Sequence, residues 1–375
     1  MLQKPHILFI LHLPPPVHGA AAMGKYIHDS QLVNNSFVCR YINLAMARNI
    51  DDVGAFKFHK INTFLLLLRN IRKEVIVFHP DLVYITPNSK GGAFYKELVI
   101  VEMLKRMGCK VVAHFHNKGV SEWQHRWYND KLYKAYFNNM KVILLAKALY
   151  SDISKYADWK DIYLCPNGIP DVCQGHVSVK HKNDIPHILF LSNLLESKGI
   201  LVLLDALQIL KNRGIAFVCD VVGGESAEIN AERLSKEVTN RSLDDLVVYH
   251  GSKYNDEKNA ILQSVDVLAF PTYFETFGLV LLEAMQQGIP CVSTHEGGIP
   301  DIIDDGVTGF IVPKRQPEPL ANKLEQLLAD KALRKQMGIA GRKKYEKEFT
   351  LSIFENRIVD ILNDICIISH QSQRI

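Results

Sequence analysis

Short apolar runs alternate with helical patterns along the whole of this 375-residue chain. Strand-like runs stand at 7–11, 37–43, 82–86, 110–115, 142–146 and 162–165. After a polar break at 171–186 the pattern resumes at 187–191, 216–222, 246–249, 265–270, 290–293 and 310–312. Near-continuous apolar strands separated by helices predict parallel sheets covered on both faces. A chain of this length exceeds one ordinary core. The break therefore predicts two domains, 1–170 and 171–349, each Rossmann-like and doubly wound, facing each other across a cleft. Ligands in such α/β sheets bind beyond the carboxyl ends of the strands. The tail from Thr350 is helical in pattern, with Ile353, Phe354, Ile358, Ile361 and Leu362 on its apolar side.

Composition removes several classes. Hydrophobic residues make up 47 % and charged residues 22 %, and the net charge of +4 is too small for a dedicated nucleic-acid binder. Cys39, Cys109, Cys165, Cys173, Cys219, Cys291 and Cys366 are scattered without a Cys-x-x-Cys pair, which suits buried free thiols in a reducing compartment. The apolar run after His6 is too short to span a bilayer, and no small-residue cleavage site follows it. The expectation is a cytoplasmic protein.

The chemistry concentrates in Pro271-Thr272-Tyr273-Phe274-Glu275-Thr276-Phe277-Gly278-Leu279, followed by Glu283-Ala284-Met285 and Gly288-Ile289-Pro290. A buried strand ends at Pro271, and a helix over 278–287 stops at Gly288. Glu275 then lies on the loop leaving the strand and Glu283 just over one turn into the helix. Free amides at the helix start can hold phosphate. A carboxylate on each side suits the neutral hydroxyls of a sugar and a ribose. Two glutamates eight apart are ordinarily two solvated side chains. The length and order of the pattern argue otherwise, for it runs on through Gly297-Gly298-Ile299-Pro300-Asp301-Ile302-Ile303 and Gly306-Val307-Thr308-Gly309-Phe310.

This stretch resembles the retaining glycosyltransferases of the GT-B fold, family 4. The resemblance implies a nucleoside-diphosphate sugar as donor, a saccharide or lipid-linked acceptor, no cofactor or metal, and a setting in cell-surface polysaccharide or glycan synthesis. It also implies that the last helix, 350–375, packs back on the first domain. In Ser192-Asn193-Leu194-Leu195-Glu196-Ser197-Lys198-Gly199 the family's closing Lys-Gly is present, but Ser192-Asn193 stands where the family has Gly-Arg. Asn193 can donate only a neutral hydrogen bond in place of a charge-assisted clamp. Gly223 and Gly224 end the next strand and permit close backbone approach. Tyr249-His250-Gly251-Ser252-Lys253 resembles the family's nucleobase edge.

In the first domain, the loop from Pro14 to Gly24 lacks the Gly-x-Gly-x-x-Gly spacing, which disfavours a nicotinamide cofactor. By resemblance its Gly19 faces the donor phosphates and acceptor. Alternation puts His114 and His116 on one side of their strand; a strand-end histidine is commonly structural, but the family's sugar-contacting histidine matches His116. No carboxylate or cysteine beside them completes a metal site. Cys165-Pro166-Asn167-Gly168-Ile169-Pro170 reads as a tight turn before the linker. Phe64-Leu65-Leu66-Leu67-Leu68, with Lys57, Lys60, Arg69, Arg72 and Lys73, reads either as a core helix with solvated ends or as an amphipathic helix on an anionic membrane, with the core helix the better fit.

The roles expected are therefore as follows. Lys198 and the amides of Phe277, Gly278 and Leu279 hold the leaving diphosphate. Glu275 binds donor-sugar hydroxyls, Thr276 borders the donor, and Glu283 binds the ribose. Asn193 and Gly223 border the donor, and His116 lies near the transferred sugar. A sugar-nucleotide epimerase or hydrolase, and a non-catalytic binding protein, are the alternatives on the same scaffold.

Overall fold

The computed structural model describes residues 4–15, 19–44, 58–173 and 185–372. Pro16–His18 of the first loop, Lys57, and 174–184 of the polar break lie outside the described residues. The chain forms two compact units, one of Met1–Asn167 with Leu351–Ile375, the other of Gly168–Thr350.

The first unit is built on β1 (His6–Leu11), β2 (Val38–Asn43), β3 (Leu82–Ile85), β4 (Val111–Phe115), β5 (Lys141–Leu144) and β6 (Ile162–Leu164). They form one six-stranded sheet in the order β2-β1-β3-β4-β5-β6, and every pairing is parallel. β3 and β4 are buried along their whole length, as strands with both faces covered are, with Tyr84 and His114 the polar side chains among them. The edge strand β2 instead alternates exposed positions with half-buried Cys39 and Tyr41 and buried Ile42. The helix Leu351–Ser372 belongs to this unit. It buries Phe354, Ile358 and Leu362 completely, and Tyr163 Oη donates to Asp364 Oδ2 at 2.6 Å.

The second unit carries β7 (His187–Leu191), β8 (Val218–Val222), β9 (Val247–Tyr249), β10 (Val267–Phe270), β11 (Cys291–Thr294) and β12 (Gly309–Val312). Their order is β12-β11-β10-β7-β8-β9, again all parallel. The helix Ile200–Asn212 covers one face with Leu203, Leu204, Leu207 and Leu210 fully buried. Residues 168–173 join this unit because Ile169 N donates to Phe349 O (3.0 Å), Tyr345 Oη donates to Ile169 O (2.9 Å), and Asp171 pairs with Arg342.

One sequence expectation is corrected here. The helix Phe58–Phe78 is not a core helix: Leu65 and Leu66 are 48 % and 63 % exposed. Its buried line is Ile71, Val75 and Phe78, so the leucine run winds past the sheet-facing side rather than along it.

Candidate functional site

In the second unit β7 and β10 are neighbours in the sheet although two strands separate them in sequence. This is the topological switch point, where the loops leaving adjacent strands diverge and expose backbone to a ligand. The loop after β7 is fixed by backbone. Ser192 N donates to Val222 O at 3.0 Å. A Cβ on Gly223 would lie 1.8 Å from Ser192 O, so only glycine fits there. Asn193 is exposed, and its Oδ1 accepts from Gly224 N at 3.3 Å. A short turn, Glu196–Lys198, then delivers Lys198. Gly199 follows at φ 84°, where a Cβ would lie 2.1 Å from Pro271 O. The two switch-point loops thus touch backbone to backbone, and Tyr273 N and Thr272 Oγ1 both donate to Ser197 O, at 2.9 and 3.0 Å.

That contact sets the central pair. Lys198 Nζ donates to Glu275 Oε2 at 2.8 Å and to Phe274 O at 3.3 Å. Glu275 Oε1 accepts from Thr276 N (2.8 Å) and Phe277 N (3.3 Å). The Phe277 amide, expected to be open to phosphate, therefore serves Glu275 itself. Gly278 caps the next helix, Leu279–Gln286, at φ 96°. The N–H groups of Leu279 and Val280 have no acceptor within the helix, Leu281 N donates to Gly278 O at 3.0 Å, and the positive end of this helix begins four residues after Glu275. Glu283 is a turn along this helix, and Lys258 Nζ donates to its Oε1 at 2.8 Å.

Sequence reasoning missed the support beneath this loop. Glu296 is 5 % exposed, accepts from Glu275 N at 3.4 Å and pairs with Lys314 at 2.7 Å. Gly297 stands at φ 53° with room for no Cβ, which would fall 2.3 Å from Glu275 O. Gly298 N donates to Thr276 O at 2.8 Å. Its signal was the acid set between two noted motifs, His295-Glu296-Gly297. The result is a partly buried cation held by a carboxylate beside a helix start. Such a site takes a ligand bearing more negative charge than one carboxylate and presents acids to its hydroxyls.

The other sequence-singled residues belong to the first unit, whose switch point lies between β1 and β3. Gly19 opens the helix Gly19–Asp29 and is exposed. Gly24 lets this helix meet the end of β1, since a Cβ would lie 2.1 Å from His12 O. His114 is completely buried, with its Nδ1 2.5 Å from Tyr84 Oη. Burial and the neighbouring His116 push its pKa well below the ordinary 6.5. His116 follows directly after β4, half-buried, its ring 4.2 Å from that of His114.

A polar cluster unforeseen from sequence also sits here. Glu97, 6 % exposed, accepts from Asn88 N and from Asn88 Nδ2 (2.9 Å), and His12 Nε2 is 3.7 Å away. Asn117 ties in β4, donating to Pro87 O at 3.1 Å. Burial pushes the Glu97 carboxyl up to about 7.

Residues 176–344 match the family described as glycosyl transferases group 1. Among curated proteins, the chain is 28 % identical over 181 residues to the capsular polysaccharide biosynthesis glycosyltransferase CapM of Staphylococcus aureus, covering 48 % of this chain and 47 % of that one. It is 35 % identical over 156 residues to the D-inositol 3-phosphate glycosyltransferase of Arthrobacter sp. strain FB24, covering 41 % and 37 %. The chain thus spans about half the length of the curated relatives it matches. Among solved structures, Anabaena Alr3699/HepE in complex with UDP aligns over 96 % of this chain and 100 % of that one, at 17 % identity and a TM-score of 0.73. WaaG, a glycosyltransferase involved in lipopolysaccharide biosynthesis, aligns over 95 % and 99 %, at 16 % identity and a TM-score of 0.68. The fold is GT-B.

Proposed function

We propose that this GT-B chain, with its group 1 glycosyl transferase domain, moves a sugar from a nucleoside-diphosphate sugar to a saccharide or lipid-linked acceptor in polysaccharide synthesis. The observation that carries the reading is the Lys198–Glu275 pair at the switch point of β7 and β10, three residues before the cap of a helix. The names of the relatives agree with it.

Transfer breaks the bond between the anomeric carbon and the diphosphate. Positive charge develops on the sugar and negative charge on the leaving oxygen. A diphosphate outcompetes the single Glu275 carboxylate for the Lys198 ammonium. At 4 Å in partly solvated protein, an ammonium–phosphate attraction is worth about 4 kcal/mol per unit charge. The Leu279 amide and the helix dipole add to that stabilisation without reorganising. Glu275, released from Lys198, then accepts from donor-sugar hydroxyls, and Thr276 borders the donor. Glu283 accepts from the ribose diol. Gly223 and Asn193 form the backbone edge against the donor. In the first unit we assign His116 to the transferred sugar and Gly19 to the phosphates. The anomeric configuration is retained, as in family 4, and no metal or other cofactor takes part. We also retain a cytoplasmic location.

A thermal-shift series with UDP-, GDP- and ADP-sugars tests this. A ligand at about 100 times its Kd adds about 2.7 kcal/mol to native stability, so the correct donor raises Tm and Lys198→Ala reduces the rise. No shift with any donor, or an undiminished shift in the variant, overturns the reading.

A further inference from the structure

The helix Phe58–Phe78 turns one side to solvent, and that side is neither polar nor neutral. Ile61, Leu65, Leu66, Ile76 and Val77 are 46 to 63 % exposed, and Arg69, Arg72 and Lys73 are exposed with them. At 3.6 residues per turn all eight fall within roughly 160° of arc. The buried Ile71, Val75 and Phe78 occupy the opposite arc. The acid of this helix, Glu74, lies off the exposed arc and pairs with Arg40 at 2.6 Å. Beside the helix runs a groove of about 570 Å³, lined by Leu98, Val99, Met103 and Met107 together with Arg72 and Arg106. Glu102, also on its lining, lies 3.5 Å from Lys105.

We infer that this face docks on an anionic lipid surface. Single exposed apolar side chains need no explanation. Five on one arc, interleaved with three cations and no acid, match the pattern by which a helix lies in the plane of a membrane interface. Leucine and isoleucine enter the acyl boundary while arginine and lysine reach the headgroups. Charge selects this occupant. A second copy docking through the same face would set its cations against these cations. No helix among the described residues is long and apolar enough to cross a membrane, so contact at this face is peripheral. The inference does not depend on the transfer reaction.

Co-sedimentation of the full chain with vesicles tests it, using phosphatidylglycerol mixed with phosphatidylcholine against phosphatidylcholine alone. The wild type is expected to bind the anionic vesicles and to release them as salt rises. Leu65→Glu with Leu66→Glu is expected to weaken binding about ten-fold or more. Arg69→Glu with Arg72→Glu and Lys73→Glu is expected to remove the preference for phosphatidylglycerol. Since all five positions are exposed, both variants should keep the wild-type circular dichroism and Tm. Equal or absent binding to the two vesicle types, or variants that bind as wild type, overturns the proposal. So does a wild-type dimer in sedimentation equilibrium that Leu65→Glu with Leu66→Glu dissolves, because the face is then a protein interface.

Discussion

Glu275 and Lys198 form one unit: each satisfies the other's charge, and two backbone amides hold the carboxylate in place. Glu283 is different, since Lys258 holds it and no bond joins it to the Glu275 loop. The two glutamates therefore have separable effects. Glu275→Ala frees Lys198 and loosens the turn at Thr276, and is expected to lower kcat about 10²- to 10³-fold, the scale of losing one preorganised group at developing charge. On the proposed role at the ribose diol, Glu283→Ala removes hydrogen bonds made equally in ground and transition state, and is expected to raise the donor KM with kcat nearly unchanged. Steady-state kinetics with the donor found by thermal shift checks both; near-normal kinetics for the pair contradicts the assignment. These two acids stood out in the sequence because they stand in a long ordered motif. Glu296 was not legible, because its importance comes from a contact made across 21 residues of sequence.

At the scale of elements, close backbone approach decides where the helices sit. The helix Lys331–Glu348 passes the end of the Leu279–Gln286 helix at Gly338, where a Cβ would lie 1.9 Å from Gly288 O. That obstacle is backbone and cannot rotate away. Gly338→Ala is expected to destabilise the protein by about 2 kcal/mol or more, the range of an overpacked site, and to weaken donor binding by shifting the helix that carries Glu283. Urea denaturation and donor titration of the variant measure the two effects. Element order was readable from periodicity, because most of the parallel strands are short apolar runs between helices. The place of the helix Phe58–Phe78 was misjudged for the same reason: a run of leucines on a helix visits every side, so the run alone does not say which side faces the sheet.

At the scale of the molecule, each unit has its own switch point and its own buried charge. In the first unit Glu97 titrates near 7 against an ordinary 4.5, because burial penalises its charged form. Its folded pKa is raised, so the unfolded chain releases this proton first. Stability is then lost as pH climbs from about 4.5 to about 7, by about 3 kcal/mol at most. His114 acts oppositely: its pKa is depressed, so stability is lost as pH falls below the ordinary 6.5. A single melting curve mixes the two. The difference between Glu97→Gln and wild type isolates Glu97, and the variant's Tm relative to wild type is expected to rise between pH 5 and pH 8. A difference that stays flat contradicts a raised Glu97 carboxyl.

The sequence by itself determined the strand alternation, the two parallel α/β sheets and the Glu275–Glu283 motif. All three are written in local pattern: apolar periodicity, glycine stops and spacing along one loop and helix. Tertiary structure alone decided that Lys198 grips Glu275, that Glu296 and Gly297 seat the same loop, and that His12, Asn88 and Glu97 converge at the other switch point. These contacts join segments far apart in the chain, and their partners are chosen by which strands lie side by side in a sheet rather than by which follow each other in sequence.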